Sequence, residues 1–140
     1  MDFSVIGPAL VLGLAMIGSS IGCGIAGMAS HAVMARTDEG HGKLIGMSAM
    51  PSSQAIYGFI LMILMKGAID DKTLSPLGGI GIGLSVGLAL LVSSMFQGKC
   101  CATGIQASAK QPAIYGKCFA AIGIVESFSL FAFVFALLLL

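Results

Sequence analysis

The stretch GIVESFSLF, residues 123–131, holds the only charged residue between Lys117 and Leu140. That residue is Glu126, and Ile124, Val125, Phe128, Leu130 and Phe131 surround it in sequence. It lies nine residues beyond Lys117, or roughly 13 Å along a helix. An ionised side chain near the centre of a bilayer costs about 2.5–3.5 kcal/mol on insertion scales, so such residues carry function by default. The chemistry open to a lone buried carboxylate is reversible loading of a proton or a small cation. A plain interhelical hydrogen bond is the competing account, but an amide would make that bond at lower cost.

Other polar residues fall at the same depth. In AMPSSQAIYGF, residues 49–59, Met50, Ser53, Gln54 and Tyr57 stand at i, i+3, i+4 and i+7, which is one helical stripe. Gln54 is eleven residues from Lys43 and twelve from Lys66, so it also sits midway. Pro51 has no N–H, so the Met47 carbonyl loses its usual donor and a kink is expected. Carbonyls freed at a broken helix are typical ligands for alkali cations in transporters. In SSMFQGKCC, residues 93–101, Gln97 shares a face with Ser93, Ser94, Cys100, Cys101 and Gly104. Lys99 points elsewhere, with a stem long enough to snorkel toward the near membrane surface. Taken singly, Pro51 is explained by a kink and Gln54 by a bond to a neighbouring helix.

The remaining polar candidates carry less. His31 has no companion ligand, and His41 lies in a loop. GIGIG (79–83) lacks a following Lys-Ser/Thr and sits inside an apolar run, so it is no phosphate loop. Cys23, Cys100, Cys101 and Cys118 form no CxxC pair and read as small apolar residues.

The elements that must position these groups follow from composition. Charged residues are 9% of the 140 and hydrophobic ones 57%, against roughly 25% charged in soluble domains. Phe3–Ala35, Leu44–Met65 and Thr73–Gly98 carry no Asp, Glu, Lys or Arg, and Cys118–Leu140 carries only Glu126. Each is long enough to cross a hydrocarbon core, which takes about 20 helical residues, and only a helix satisfies its own backbone there. The expectation is an all-α membrane protein of four transmembrane helices. The N-terminus has an acid and no basic region, unlike a cleavable signal peptide. No basic cluster is interleaved with aromatics, which excludes nucleic-acid binding.

Polar breaks fall at 36–43, 66–76 and 110–117. The first and third share a side and hold Arg36, Lys43, Lys110 and Lys117. The opposite side holds Lys66 and Lys72, offset by Asp70 and Asp71, with Asp2 nearby. The positive-inside rule then places loops 36–43 and 110–117 in the cytoplasm and both termini outside.

A shift of 74 residues lays Ser19-Ser20 on Ser93-Ser94, Gly24 on Gly98, Arg36 on Lys110 and Gly42-Lys43 on Gly116-Lys117. One helical hairpin is used twice: residues 1–70 with no carboxylate at the matching place, residues 71–140 with Glu126. Glu126 itself falls on Ser52. The first and third spans hold twelve glycines and the second and fourth only three, while six of the eight phenylalanines lie in the second and fourth. Small residues let helices approach closely in lipid. Thin helices inside and thick ones outside suit a ring of copies, and composition alone suits a compact four-helix bundle equally.

Pro51-Ser-Ser-Gln54-Ala-Ile-Tyr57-Gly, Gln97-Gly-Lys99 and Val125-Glu126-Ser127 together resemble the membrane rotor subunits of V/A-type ATPases, the subunit K or proteolipid c family. The resemblance spans essentially the whole chain: two hairpins, glycine-rich first and third helices, a single acid on the fourth. It implies a homo-oligomeric ring in the bilayer of a bacterial or archaeal cell, with the glycine-rich helices lining its inside. It implies a non-catalytic subunit without cofactor, turned by ATP hydrolysis in a separate head. A stator subunit with an essential arginine would exchange the ions, and central-stalk subunits would meet the cytoplasmic loops. The sodium-carrying members hold the ion with a backbone carbonyl, a hydroxyl, two amides and the glutamate. Carried onto this chain, these are the carbonyl of Met50, Ser53, Gln54, Gln97 and Glu126, with Tyr57 bonding the carboxylate. Ser53 and Ser127 stand where Thr is frequent.

Cation chemistry agrees, because hard cations seek oxygen, whereas a proton needs only a carboxyl with a raised pKa. The expected cargo is Na⁺, with H⁺ the alternative for the same rotor. A small multidrug antiporter is the rival from another class. It has four helices and one glutamate, but on its first helix and among aromatics that often include Trp, which this chain lacks. A purely structural or pore-forming protein fits poorly with a duplication that keeps one acid.

Overall fold

The computed structural model describes residues 3–140; Asp2, counted above with the outer loop, lies outside the described residues. Helix α1 runs Ile6–Met34. The second span comprises α2 (His41–Ser48), a 3₁₀ turn (Met50–Ser52) and α3 (Ser53–Asp70). Helix α4 runs Pro76–Lys110. A second 3₁₀ turn (Pro112–Ile114) leads into α5 (Tyr115–Leu137). Four segments are long and apolar enough to cross a membrane: Ile6–Met34, His41–Asp70, Pro76–Lys110 and Pro112–Leu137. The chain is a multi-pass integral membrane protein, all-helical among the described residues.

The polar breaks are shorter than their composition suggests. Helix α3 continues to Asp70, held in part by the exposed Lys66–Asp70 pair at 2.6 Å. Lys72 then takes φ 62°, and the Thr73 and Leu74 amides both return to the Ala68 carbonyl. Ser75 caps α4 by accepting from the Gly78 amide at 3.1 Å, and Pro76 fills the first helical turn, where no donor is needed. The segment 110–117 is mostly helical. The Tyr115 hydroxyl donates to the Lys43 carbonyl at 3.4 Å, tying the first and third breaks together at one end of the molecule.

Helices α1 and α4 form the central pair, and glycine is the reason. A Cβ added at Gly83 would strike the Gly7 backbone, and one at Gly98 the Gly22 backbone. Gly18 similarly faces the Leu91 backbone. These partners are separated by 73 to 76 residues, close to the 74-residue offset of the repeat, so the two glycine-rich helices pack in parallel as equivalent elements. Helix α3 reaches α1 through Gly58, whose added Cβ would meet Ala15. Helix α5 lies on the outside, mainly against α4. It buries only Ile122, Ser129 and Ala136, a seven-residue spacing. Ile124, Phe128, Phe131 and Phe135 face outward.

The interior divides into two apolar clusters. Val11, Ala15, Leu61, Met65, Leu90 and Ala136 belong to one. Ala26, Leu44, Met47, Cys101, Ile105 and Ile122 belong to the other. The level between them is polar.

Replacing Gly98 by Val should cost at least the roughly 1–3 kcal/mol of ordinary overpacking, because the obstacle is backbone and cannot rotate away. Gly116→Ala, with open space around it, should be neutral. Thermal unfolding of the purified protein in one detergent would rank the two, and equal midpoints would refute this account of the α1–α4 contact.

Candidate functional site

The second span breaks where Pro51 removes a donor. The chain tightens there into i→i+3 bonds, with the Ser52 amide on the Ala49 carbonyl at 3.1 Å and the Ser53 amide on the Met50 carbonyl. Three successive carbonyls also gain serine hydroxyls. Ser52 donates to Ala49 at 2.7 Å, Ser53 to Met50 at 3.3 Å, and Ser94 of α4 to Pro51 at 2.8 Å. The expected kink is thus a distinct non-α turn, and the Met50 carbonyl holds its hydroxyl least tightly of the three.

Just past that turn, Gln54 and Gln97 meet. Both are wholly buried, at 0% exposure. Gln54 Nε2 donates to Gln97 Oε1 at 2.9 Å, and Gln97 Nε2 donates to Glu126 Oε2 at 3.1 Å. The other carboxylate oxygen, Oε1, accepts from the Tyr57 hydroxyl at 3.2 Å. Ser53 closes the near end: its one hydrogen, shared with the Met50 carbonyl, also faces Gln54 Oε1 at 3.2 Å. All six residues singled out in the sequence, Met50, Ser53, Gln54, Tyr57, Gln97 and Glu126, therefore belong to one connected network. It draws on three spans and lies between the two apolar clusters. Glu126 is only half-buried, at the outer edge.

The network has a direction. An ionised carboxylate can only accept, so Gln97 must turn its amide nitrogen to Glu126 and its oxygen away. That oxygen needs a donor, which Gln54 supplies. Gln54 Oε1 is thereby turned toward Ser53 and Gln97 Oε1 is met by Gln54, and the oxygens of the network carry one negative charge among them. Such a set can hold a monovalent cation as a neutral unit.

Three further residues belong here. Ser94 supports the turn as described. Ser93, beside it, donates to the Val125 carbonyl at 2.9 Å and so fixes α5 against α4; sequence spacing had placed both on the Gln97 face. Ser129 was missed. Its hydroxyl accepts from Gln54 Nε2 at 3.1 Å and donates to the Glu126 carbonyl at 2.7 Å. The available signal was its position three residues after the acid, on the same helical face.

Lys99 departs from expectation. Its Nζ lies 4.7 Å from the centre of the Phe96 ring, one turn back toward the start of α4 rather than toward the end that carries Lys110. Helical side chains lean toward the N-terminus, and the aromatic face attracts the cation. His31 is exposed, and the four cysteines are free. Among the described residues no three His, Cys, Asp or Glu side chains gather as a metal cluster.

The chain as a whole is similar to known proteins. A sequence model of the ATP synthase C subunit family matches the chain twice, over residues 6–65 and 80–139. The A-type ATP synthase subunit K of Methanocaldococcus jannaschii is 35% identical over 96% of this chain, which spans 60% of that relative's length. The V-type sodium ATPase subunit K of Enterococcus hirae is 33% identical, covering 99% of this chain and 90% of its own. The V-type proton ATPase 16 kDa proteolipid of Nephrops norvegicus is 30% identical over 81% of this chain and 74% of its own. With both hairpins matched and the relatives aligned along nearly all of its length, this chain belongs to the ATP synthase C subunit family, in a duplicated four-helix form.

Proposed function

We propose that this chain is the ion-carrying rotor subunit of a V/A-type rotary ATPase and that it carries Na⁺. The observation that supports this best is the string Met50 O–Ser53–Gln54–Gln97–Glu126, rich in oxygen and with both glutamines wholly buried. A proton carrier needs one carboxyl and a donor or two. Here two amides and a hydroxyl are ordered behind the acid, more than proton binding requires.

The mechanism follows from charge. Na⁺ held by the Met50 carbonyl, Ser53, Gln54, Gln97 and Glu126 makes a neutral site, which can face lipid at low cost. Releasing the ion leaves Glu126 ionised, at the cost of a buried charge. Exchange is therefore confined to the place where a stator subunit offers a fixed positive charge, an arginine, and an aqueous path. Tyr57 and Gln97 each keep a donor on the carboxylate while the site is loaded. The exposed Ile124, Phe128 and Phe131 keep water away between exchanges.

Copies of the chain form the ring, with α1 and α4 on its inner side. The first hairpin, residues 1–70, has no acid at the place matching Glu126, and the second, residues 71–140, carries the site. The loops at 36–43 and 110–117 face the cytoplasm of a bacterial or archaeal cell and meet the central stalk. ATP is hydrolysed or made on other subunits. One of the relatives above is named for sodium and another for protons, so the cargo needs direct measurement.

Carbodiimide modification of Glu126, followed by mass analysis, should be slowed by millimolar Na⁺ at constant pH. Labelling insensitive to Na⁺ at every concentration would replace Na⁺ by H⁺ as the cargo. Glu126→Gln should abolish ion transport entirely while leaving ring assembly intact; ion-driven rotation surviving in that variant would end the carrier role.

A further inference from the structure

We propose that Ser129 is a positioning residue that sets the cation preference of the site by locking the Gln54 amide with its oxygen toward the ion. This rests on the sodium reading above and adds a residue to it.

Proton counting fixes the orientation of the Gln54 amide. A serine hydroxyl has one hydrogen and otherwise accepts. The hydrogen of Ser129 is committed to the Glu126 carbonyl at 2.7 Å. Toward Gln54 it can therefore only accept, and it does so from Nε2 at 3.1 Å. A flipped Gln54 would turn its own oxygen against the Ser129 lone pairs. Both groups are wholly buried, so no water would relieve that contact, and a buried polar group left unpaired is costly. Gln54 Oε1 is thereby held on the opposite side, where Ser53 meets it at 3.2 Å.

The second constraint on Gln54 comes through Gln97 and depends on Glu126. When Glu126 is ionised, Gln97 turns its nitrogen to it and its oxygen to Gln54. When Glu126 is protonated, its O–H can donate to Gln97, and the Gln97 amide is free to reverse. The Ser129 bond does not pass through the carboxylate. It keeps the Gln54 oxygen aimed at the cation position in both states. Without it, a proton on Glu126 would also disorder a cation ligand, and the proton would compete better.

The test uses intact membranes containing the assembled ring, with Glu126 labelling by carbodiimide as the readout. In Ser129→Ala the Na⁺ concentration giving half-protection should rise about tenfold. The pH profile of labelling without Na⁺ should stay where it is, because Ser129 touches neither carboxylate oxygen. Ser129→Thr should restore protection, since a helical Thr hydroxyl makes the same bond to the preceding turn. If the alanine variant does not assemble, Ser129→Cys, near in size and a poor acceptor, should shift half-protection in the same direction. Unchanged half-protection in the assembled variant, or equal displacement of the Na⁺ and pH profiles, would overturn the role given to Ser129. Wild-type labelling indifferent to Na⁺ would instead overturn the sodium reading, and this inference with it.

Discussion

A carboxylate with no water around it must be given donors by the protein, and most of the polar interior follows from that demand. Glu126 takes one from Tyr57 and one from Gln97. Committing the Gln97 nitrogen to Glu126 leaves its oxygen to be satisfied, which requires Gln54. Gln54 then has a second amide hydrogen, which Ser129 accepts. Ser129 passes its own hydrogen to the Glu126 carbonyl, so the series ends on the residue where it began. A buried network is stabilising only when every member is paired. Deleting any one of these groups would leave a buried donor or acceptor unpaired.

The backbone contributes as much as the side chains. In an unbroken α-helix every carbonyl around residue 50 would be engaged in the ladder. Pro51 interrupts that ladder at the level of the two glutamines, and the chain tightens so that the Ala49 and Met50 carbonyls each take the amide three residues on together with a serine hydroxyl. Ser52 and Ser94 bind theirs closely, at 2.7 and 2.8 Å, while Ser53 holds the Met50 carbonyl at 3.3 Å. The Met50 carbonyl is thus the one that its serine hydroxyl holds least closely. Packing protects the arrangement from both ends, since the apolar clusters around Leu61 and Met65 on one side and Met47 and Ile105 on the other exclude water from its level.

Much of this was legible because lipid-facing sequence is so uniform. Against long apolar runs, Glu126, Gln54, Gln97 and Tyr57 stood out by type alone, and counting residues from flanking lysines placed them at one depth. The 74-residue repeat and the glycine bias foretold the α1–α4 contact. Ser129 was not legible in this way. Serine is common in such a span, and the phenylalanines surrounding α5 erase the periodicity that would reveal its buried face. Ile122, Ser129 and Ala136 define that face only once α4 is in place. Lys99 was misjudged because depth suggested its direction, whereas the tilt of helical side chains and the Phe96 ring decide it. Composition likewise marked 110–117 as a polar break without showing that nearly all of it is helical.

The two hairpins show why one acid can serve four helices. By the same 74-residue offset, Cys23 stands where Gln97 does and Ser52 where Glu126 does. Both first-hairpin groups turn to a single backbone carbonyl, that of Ala49, at 4.0 Å for the thiol and 2.7 Å for the hydroxyl. At this level the first hairpin carries no charge. Its packing is nonetheless intact, because the helices meet through Gly7, Gly18, Gly22, Gly83 and Gly98, none of which bonds to the charge. On α4 the contact glycine Gly98 directly follows Gln97, and adjacent residues on a helix point about 100° apart. One face holds the helix pair together and the next faces the carboxylate. The acid can therefore be present in one hairpin and absent from the other without altering the interface that joins them, and a duplicated unit can keep its shape while only one half retains the charge.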